Sequence, residues 1–100
     1  MYRLEIQSEA MLEMQQAYDW YEFQKNNLGN ELLNEIENCF QKLEQYPHHY
    51  TKLNEYYRRI RTNRFPYLLI FEIEEKTKII FIISLFHTSR KPKRKYPSKK

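Results

Sequence analysis

Four arginines, Arg58, Arg59, Arg61 and Arg64, crowd into a stretch that reads Tyr-Tyr-Arg-Arg-Ile-Arg-Thr-Asn-Arg-Phe-Pro-Tyr-Leu-Leu-Ile-Phe over 56–71. The planar donor fork of a guanidinium matches phosphate and carboxylate, and the interleaved rings can stack on bases or on the guanidinium groups themselves. The same side chains would also serve as the wet face of an edge strand, keeping it from pairing with other chains. His87 closes a later apolar run. Imidazole titrates near neutrality, so His87 is the acid–base candidate, and it equally suits a polar residue ending a buried strand. His48 and His49 follow a helix C-terminus, where a cation is mildly favoured. With His87 distant and no Cys/His spacing, no metal or other cofactor is expected. Cys39 lies on an apolar helical stripe, as a small core residue rather than a nucleophile.

The charge is segregated along the chain. Residues 1–50 carry three basic and nine acidic side chains, a balance of −6, whereas residues 51–100 carry fourteen basic against four acidic, +10. One basic surface for a polyanion or an acidic partner follows from that separation. One hundred residues suffice for one core and not for two. A lone cysteine excludes an internal disulfide framework and points to a reducing cytoplasm. The longest apolar run, 79–86, is too short to span a bilayer, and no signal peptide is evident.

The elements that must position the arginines can be read in order. Tyr2–Gln7 alternates apolar and polar, as a half-buried strand does. Ser8 is placed to N-cap a first helix with Glu9 in its first turn, Ala10, Met14, Ala17, Tyr18 and Tyr21 on one face, and Trp20 near the edge of that face. The helix runs to about Lys25. Asn26-Asn27-Leu28-Gly29 breaks it, with Asn27 or Asn30 capping the next. Leu32, Ile36, Cys39, Phe40 and Leu43 recur at helical spacing up to Tyr46-Pro47, where proline stops the pattern. Two helices with so short a connection form an antiparallel hairpin. A meander follows. In its first strand Tyr57, Arg59 and Arg61 point one way and Arg58 and Ile60 the other, and a turn falls at Thr62-Asn63-Arg64. The next strand, 65–73, places Tyr67, Leu69, Phe71 and Ile73 on one face. After a turn at 74–77, residues 78–88 are apolar on both faces, the pattern of a central strand covered on both sides. The fold class is α+β, in the order β-α-α-β-β-β, with a helical hairpin packed on one face of a mostly antiparallel four-stranded sheet. Residues 1–90 form the domain, and 91–100 are a basic tail too charged to join a core.

This order and its short motifs resemble the RelE/ParE family of toxins from bacterial type II toxin–antitoxin pairs, in the ParE-like branch described as plasmid-stabilisation proteins. The carrying residues are Tyr18-Asp19-Trp20-Tyr21, Leu28-Gly29-Asn30, Leu43 to Pro47, Tyr57-Arg58-Arg59-Ile60, Phe65-Pro66-Tyr67, and Leu85-Phe86-His87 with Arg90. The resemblance implies a toxin that binds an essential target, DNA gyrase in the ParE branch, without breaking a bond itself. Arg58, Arg59, Arg61, Arg64, Tyr67, His87, Arg90, Lys91, Lys93 and Arg94 are then the target-binding set. The alternative within the family is a ribosome-dependent, metal-independent mRNA endonuclease, with His87, Arg61, Arg64 and Tyr96 carrying the chemistry. Similar nucleases place an arginine directly after the tyrosine of the third strand, whereas here Tyr67 is followed by Leu68. A third reading is a basic RNA- or DNA-binding module without toxicity. Both toxin readings imply a cognate antitoxin in a hetero-oligomer. Its folding segment would cover the apolar flank of the helical hairpin and part of the basic sheet face.

Overall fold

The computed structural model describes residues 1–89. Arg90, Lys91, Lys93, Arg94 and Tyr96 lie outside the described residues, as does the whole of the 91–100 tail. In chain order the elements are β1 (Arg3–Ile6), α1 (Ser8–Gln24), α2 (Leu28–Gln45), a 3-10 turn (Pro47–His49), β2 (Tyr57–Arg61), β3 (Tyr67–Glu74) and β4 (Ile79–His87). The sheet order is β1-β4-β3-β2. The β2–β3–β4 meander is antiparallel, and β1 runs parallel to β4, so the sheet is mixed. Both helices lie between β1 and the meander, and they pack on one face of the sheet.

The apolar stripe of α2 goes where its spacing sends it: Leu32, Ile36, Cys39, Phe40 and Leu43 are all buried. They share one core with Ala10 and Ala17 of α1, Ile60 of β2, Tyr67, Leu69 and Phe71 of β3, and Ile80, Ile82 and Leu85 of β4. Gly29 explains how closely the helices meet. A Cβ there would lie 2.6 Å from the Tyr18 carbonyl oxygen and 2.7 Å from its ring, so any side chain would force the helices apart.

The helix starts differ from the capping read in the sequence. Ser8 is already helical, and Gln7 takes the cap position without a side-chain bond. Gln7 still donates its N–H to Ile82 O of β4 at 2.9 Å while its carbonyl accepts Met11 N at 3.0 Å, so the strand passes straight into the helix. Asn27, with a left-handed φ of 74°, precedes α2, yet its side chain makes no cap bond. The Glu22 carboxylate does that work, accepting from Asn27 N at 3.1 Å and Gly29 N at 2.8 Å, and so satisfies donors a helix start leaves open.

Strand β4 is central, but its two faces are not read off a strict alternation. The register against β3 shifts between Ile70 and Phe71, a bulge that leaves Ile83 without a partner and brings Leu85 opposite Leu69 in the core. Glu13 of α1 serves the bulge, accepting from Ser84 Oγ at 2.9 Å and from Leu85 N at 3.0 Å. On the face away from the helices Phe81 and Phe86 are only half-buried, so β4 is fully covered on one side alone.

Candidate functional site

The β2–β3 hairpin divides its four arginines by face and by partner. In β2 the register sets Ile60 opposite Leu69 in the core, so Arg58 shares the helix side while Arg59 and Arg61, opposite Ile70 and Leu68, emerge on the other. Arg58 is spent on structure. Its Nη1 donates to Tyr50 O at 2.8 Å and His48 O at 3.3 Å, tying the loop after α2 to the sheet. Arg64 is engaged as well. Its guanidinium pairs with Glu31, and its backbone N–H donates to both oxygens of Glu35 at 2.9 and 3.0 Å. Glu35 also accepts from Phe65 N at 3.3 Å. Hydrogen bonding from Arg64 lowers the Glu31 carboxyl below its usual range, and Glu31 in turn raises the guanidinium.

Arg59 and Arg61 have no carboxylate partner among the described residues. They line a concavity of about 580 Å³ with Lys42, Tyr50, Thr51, Ile60, Leu68 and Thr88. Lys42 and Arg61 also line a second, of about 740 Å³, running along α2 past Glu35, Asn38, Gln45 and Tyr46 to Asn63. The two share the Lys42–Arg61 rim, so one groove follows the outer edge of β2. Its floor includes Cys39, whose thiol lies 3.9 Å from Arg61 O and is pushed up by burial, which keeps it unreactive.

His87 is not in that groove. Arg61 sits opposite Leu68, and Leu68 opposite Phe86, whereas His87 sits opposite Tyr67 in the next row, on the helix face. The Tyr67 and His87 rings meet edge to face at 5.3 Å, and Tyr67 itself is buried in the core beside Tyr21. Ser89 holds the imidazole: its N–H donates to Nδ1 at 3.2 Å, and its Oγ lies 2.8 Å from the same nitrogen. Arg61, Arg64 and His87 are therefore not assembled around one point, and Tyr67 presents little surface.

Two participants escape a reading of the sequence alone. Lys42 and the Glu31–Glu35 clamp belong to a polar stripe, 31, 35, 38, 42 and 45, that flanks the core stripe of α2 at helical spacing. Its period is legible. What it faces is not, because the partners are some thirty residues away on the β2–β3 turn. A further surface is apolar. Helix α1 exposes Leu12, Trp20 and Phe23, the last 88 % exposed, on the side away from the sheet. Among the described residues no helix is long and apolar enough to cross a membrane, and no group of three or more ligands could hold a metal ion.

A helical hairpin packed on a four-stranded mixed sheet is an architecture this chain shares with toxins of toxin–antitoxin systems. A chain of the chromosomal ParDE system from P. aeruginosa superposes with a TM-score of 0.76 at 17 % identity, covering 89 % of this chain and 98 % of that one. The isolated E. coli RelE toxin gives 0.68 at 15 % identity over 91 % and 88 %. The toxin–antitoxin complex RelBE from E. coli gives 0.69 at 15 % over 90 % and 100 %. No curated protein matches the chain. The model of the ParE toxin of the type II toxin–antitoxin system parDE matches residues 4–92, and the chain belongs to that family.

Proposed function

We propose that this toxin acts in the cytoplasm by binding an essential target, DNA gyrase, through the Arg59–Arg61 edge of its sheet, and that a cognate antitoxin silences it. The observation that carries the binding mode is the division of the hairpin. Two of its arginines, without an ion-pair partner among the described residues, line a groove in which no described histidine or carboxylate stands beside Arg59, whereas the candidate acid–base His87 opens on the opposite face. Cleaving RNA requires activation of a 2′-hydroxyl, stabilisation of the crowded phosphate and protonation of the leaving oxygen at one locus. That convergence is missing among the described residues. The choice of gyrase rests on membership of the ParE family.

The antitoxin partner is supported by the neighbouring folds, which belong to toxin–antitoxin systems and include complexes. Leu12, Trp20 and Phe23 of α1 form the apolar flank on which its folding segment would dock. The test uses purified chain with gyrase and supercoiled DNA, and in parallel with translating ribosomes. Gyrase-linked DNA breaks alongside intact mRNA fit the proposal. Mapped mRNA cuts that vanish in His87→Ala, with gyrase unaffected, would replace it by the endonuclease reading, in which the Ser89-held His87 is the acid–base group.

A further inference from the structure

We infer that the groove along the outer edge of β2 is a site for the sugar–phosphate backbone of a single-stranded nucleic acid, so that the toxin touches nucleic acid directly when it engages its target. This rests on the reading of the Arg59–Arg61 edge as the target-binding surface, and it names the chemistry that surface takes.

Arg59 and Arg61 lie two residues apart on one face of a strand, about 6.6 Å along the strand axis. That separation is comparable with successive phosphates along a single strand. Lys42 reaches the same concavity from α2 and adds a third cation on the facing wall. None of the three has an ion-pair partner among the described residues, in contrast to Arg64 and Lys78, which are neutralised by Glu31 and Glu75. Unopposed charge in a concave surface raises the local concentration of an anion. The other lining groups discriminate between anions. Tyr50 and Leu68 supply a ring and an apolar plate, and Thr51 and Thr88 supply hydroxyl donors. A cationic track beside an aromatic surface is how single strands are held without base-specific contacts. A carboxylate-rich peptide would use the cations and leave the stacking surface idle. Lys42 and Arg61 also rim the neighbouring concavity, where Tyr46 is 67 % exposed and supplies a second ring, and where the one lining carboxylate, Glu35, is engaged by the backbone N–H groups of Arg64 and Phe65.

The experiment is fluorescence anisotropy of a labelled oligothymidylate with the full chain, repeated over a salt series. The comparison protein is the triple variant Lys42→Gln, Arg59→Gln, Arg61→Gln, which retains the 91–100 tail and hence the tail's own charge. All three positions are exposed, and the thermal melt of the variant reports whether it folds. The single variants Arg59→Gln and Arg61→Gln repeat the test if the triple variant does not. The inference predicts at least tenfold weaker binding by the triple variant. The log–log salt slope should become shallower by about 2, from roughly 0.7 per phosphate contact for three cations. Equal affinities and slopes for the two proteins would overturn it. So would polyglutamate of matched charge that displaces the oligonucleotide from the natural chain, since the groove would then be a site for acidic polypeptide. Growth arrest is scored separately. A chain that binds oligonucleotide through the groove yet leaves cells unharmed contradicts the toxin reading and not the groove assignment.

Discussion

Charged side chains meet at two places on this molecule, and the two differ in what is left over. At one end of the sheet Glu75 accepts from Tyr2 OH at 2.7 Å and Lys78 Nζ at 3.0 Å and sits 2.5 Å from His48 Nε2, while Lys78 lies over the Tyr2 ring. His48 and Lys78 both face the one carboxylate there, and three segments remote in sequence are pinned together. Along the outer edge of β2 the balance is reversed: Lys42, Arg59 and Arg61 line one concavity with no carboxylate among its lining residues and no ion-pair partner among the described residues. Charge that is neutralised within the fold holds the fold. Charge that is left unopposed on a rigid edge is available to a partner. The contrast recurs between adjacent residues, with Arg58 tied to two carbonyls and Arg59 lining the groove.

Truncating those two neighbours separately should give the largest difference in stability. Arg58→Ala strands two carbonyl acceptors of the 48–50 loop and should destabilise the protein by about 1.5–3 kcal/mol, the range for hydrogen bonds to a charged group. Arg59→Ala should change stability by no more than about 0.5 kcal/mol, as surface substitutions do. Urea denaturation of both variants decides it, and equal losses would mean that Arg59 is structural too.

Glu35→Ala comes next. Its carboxylate fixes the β2–β3 turn through the backbone N–H groups of Arg64 and Phe65, and its removal should cost about 1–2 kcal/mol. Hydrogen exchange at Arg64 and Phe65 should accelerate while the α2 core stays protected. Unchanged exchange would show that the turn holds itself.

The pinned end of the sheet makes a prediction in pH. Hydrogen bonds from Tyr2, Lys78 and His48 hold the Glu75 carboxyl at about 2, below its ordinary 4.5. A depressed carboxyl contributes stability that is present above the unfolded-state value and lost as pH falls through the folded-state value. The stability curve of the natural chain should therefore drop between about pH 4.5 and 2, and Glu75→Gln should flatten part of that limb. Because the group is half-exposed the change will be modest, and identical acid limbs would remove Glu75 from the account. The smallest effect is expected at Phe23, whose side chain packs on little. Phe23→Ser should leave stability within about 0.5 kcal/mol and weaken antitoxin capture in a pull-down. Undiminished capture would move the docking flank elsewhere.

How far the sequence discloses the fold can be judged from particular residues. The α2 stripe from Leu32 to Leu43 and the facing of Tyr57, Arg59 and Arg61 against Arg58 and Ile60 are legible because one period governs each. The bulge at Ile83 is hidden, since a strand apolar on both faces gives no phase from which a slip could be seen. The first cap falls one residue before Ser8 because Gln7 still belongs to the β1–β4 ladder, while Asn27 takes the second cap position as its sequence suggests, although the bonds there come from a carboxylate of the previous helix. For the site, the arginine cluster was visible but its division was only half visible. Backbone alternation separates Arg58 from Arg59, whereas the Glu31 that claims Arg64 lies 33 residues away and announces nothing locally. The family resemblance puts His87 and Arg61 in one target-binding set. One residue of register puts them on opposite faces.

Growth arrest from a titratable promoter, compared between Arg59→Ala/Arg61→Ala and His87→Ala at equal protein levels, bears most directly on the claim that the unopposed cation edge is what the toxin uses. The double arginine variant should need on the order of 100-fold more protein to arrest growth, as loss of about 3 kcal/mol of charge pairing implies, while His87→Ala should arrest as the natural chain does. A toxic double variant beside a harmless His87→Ala would contradict the account.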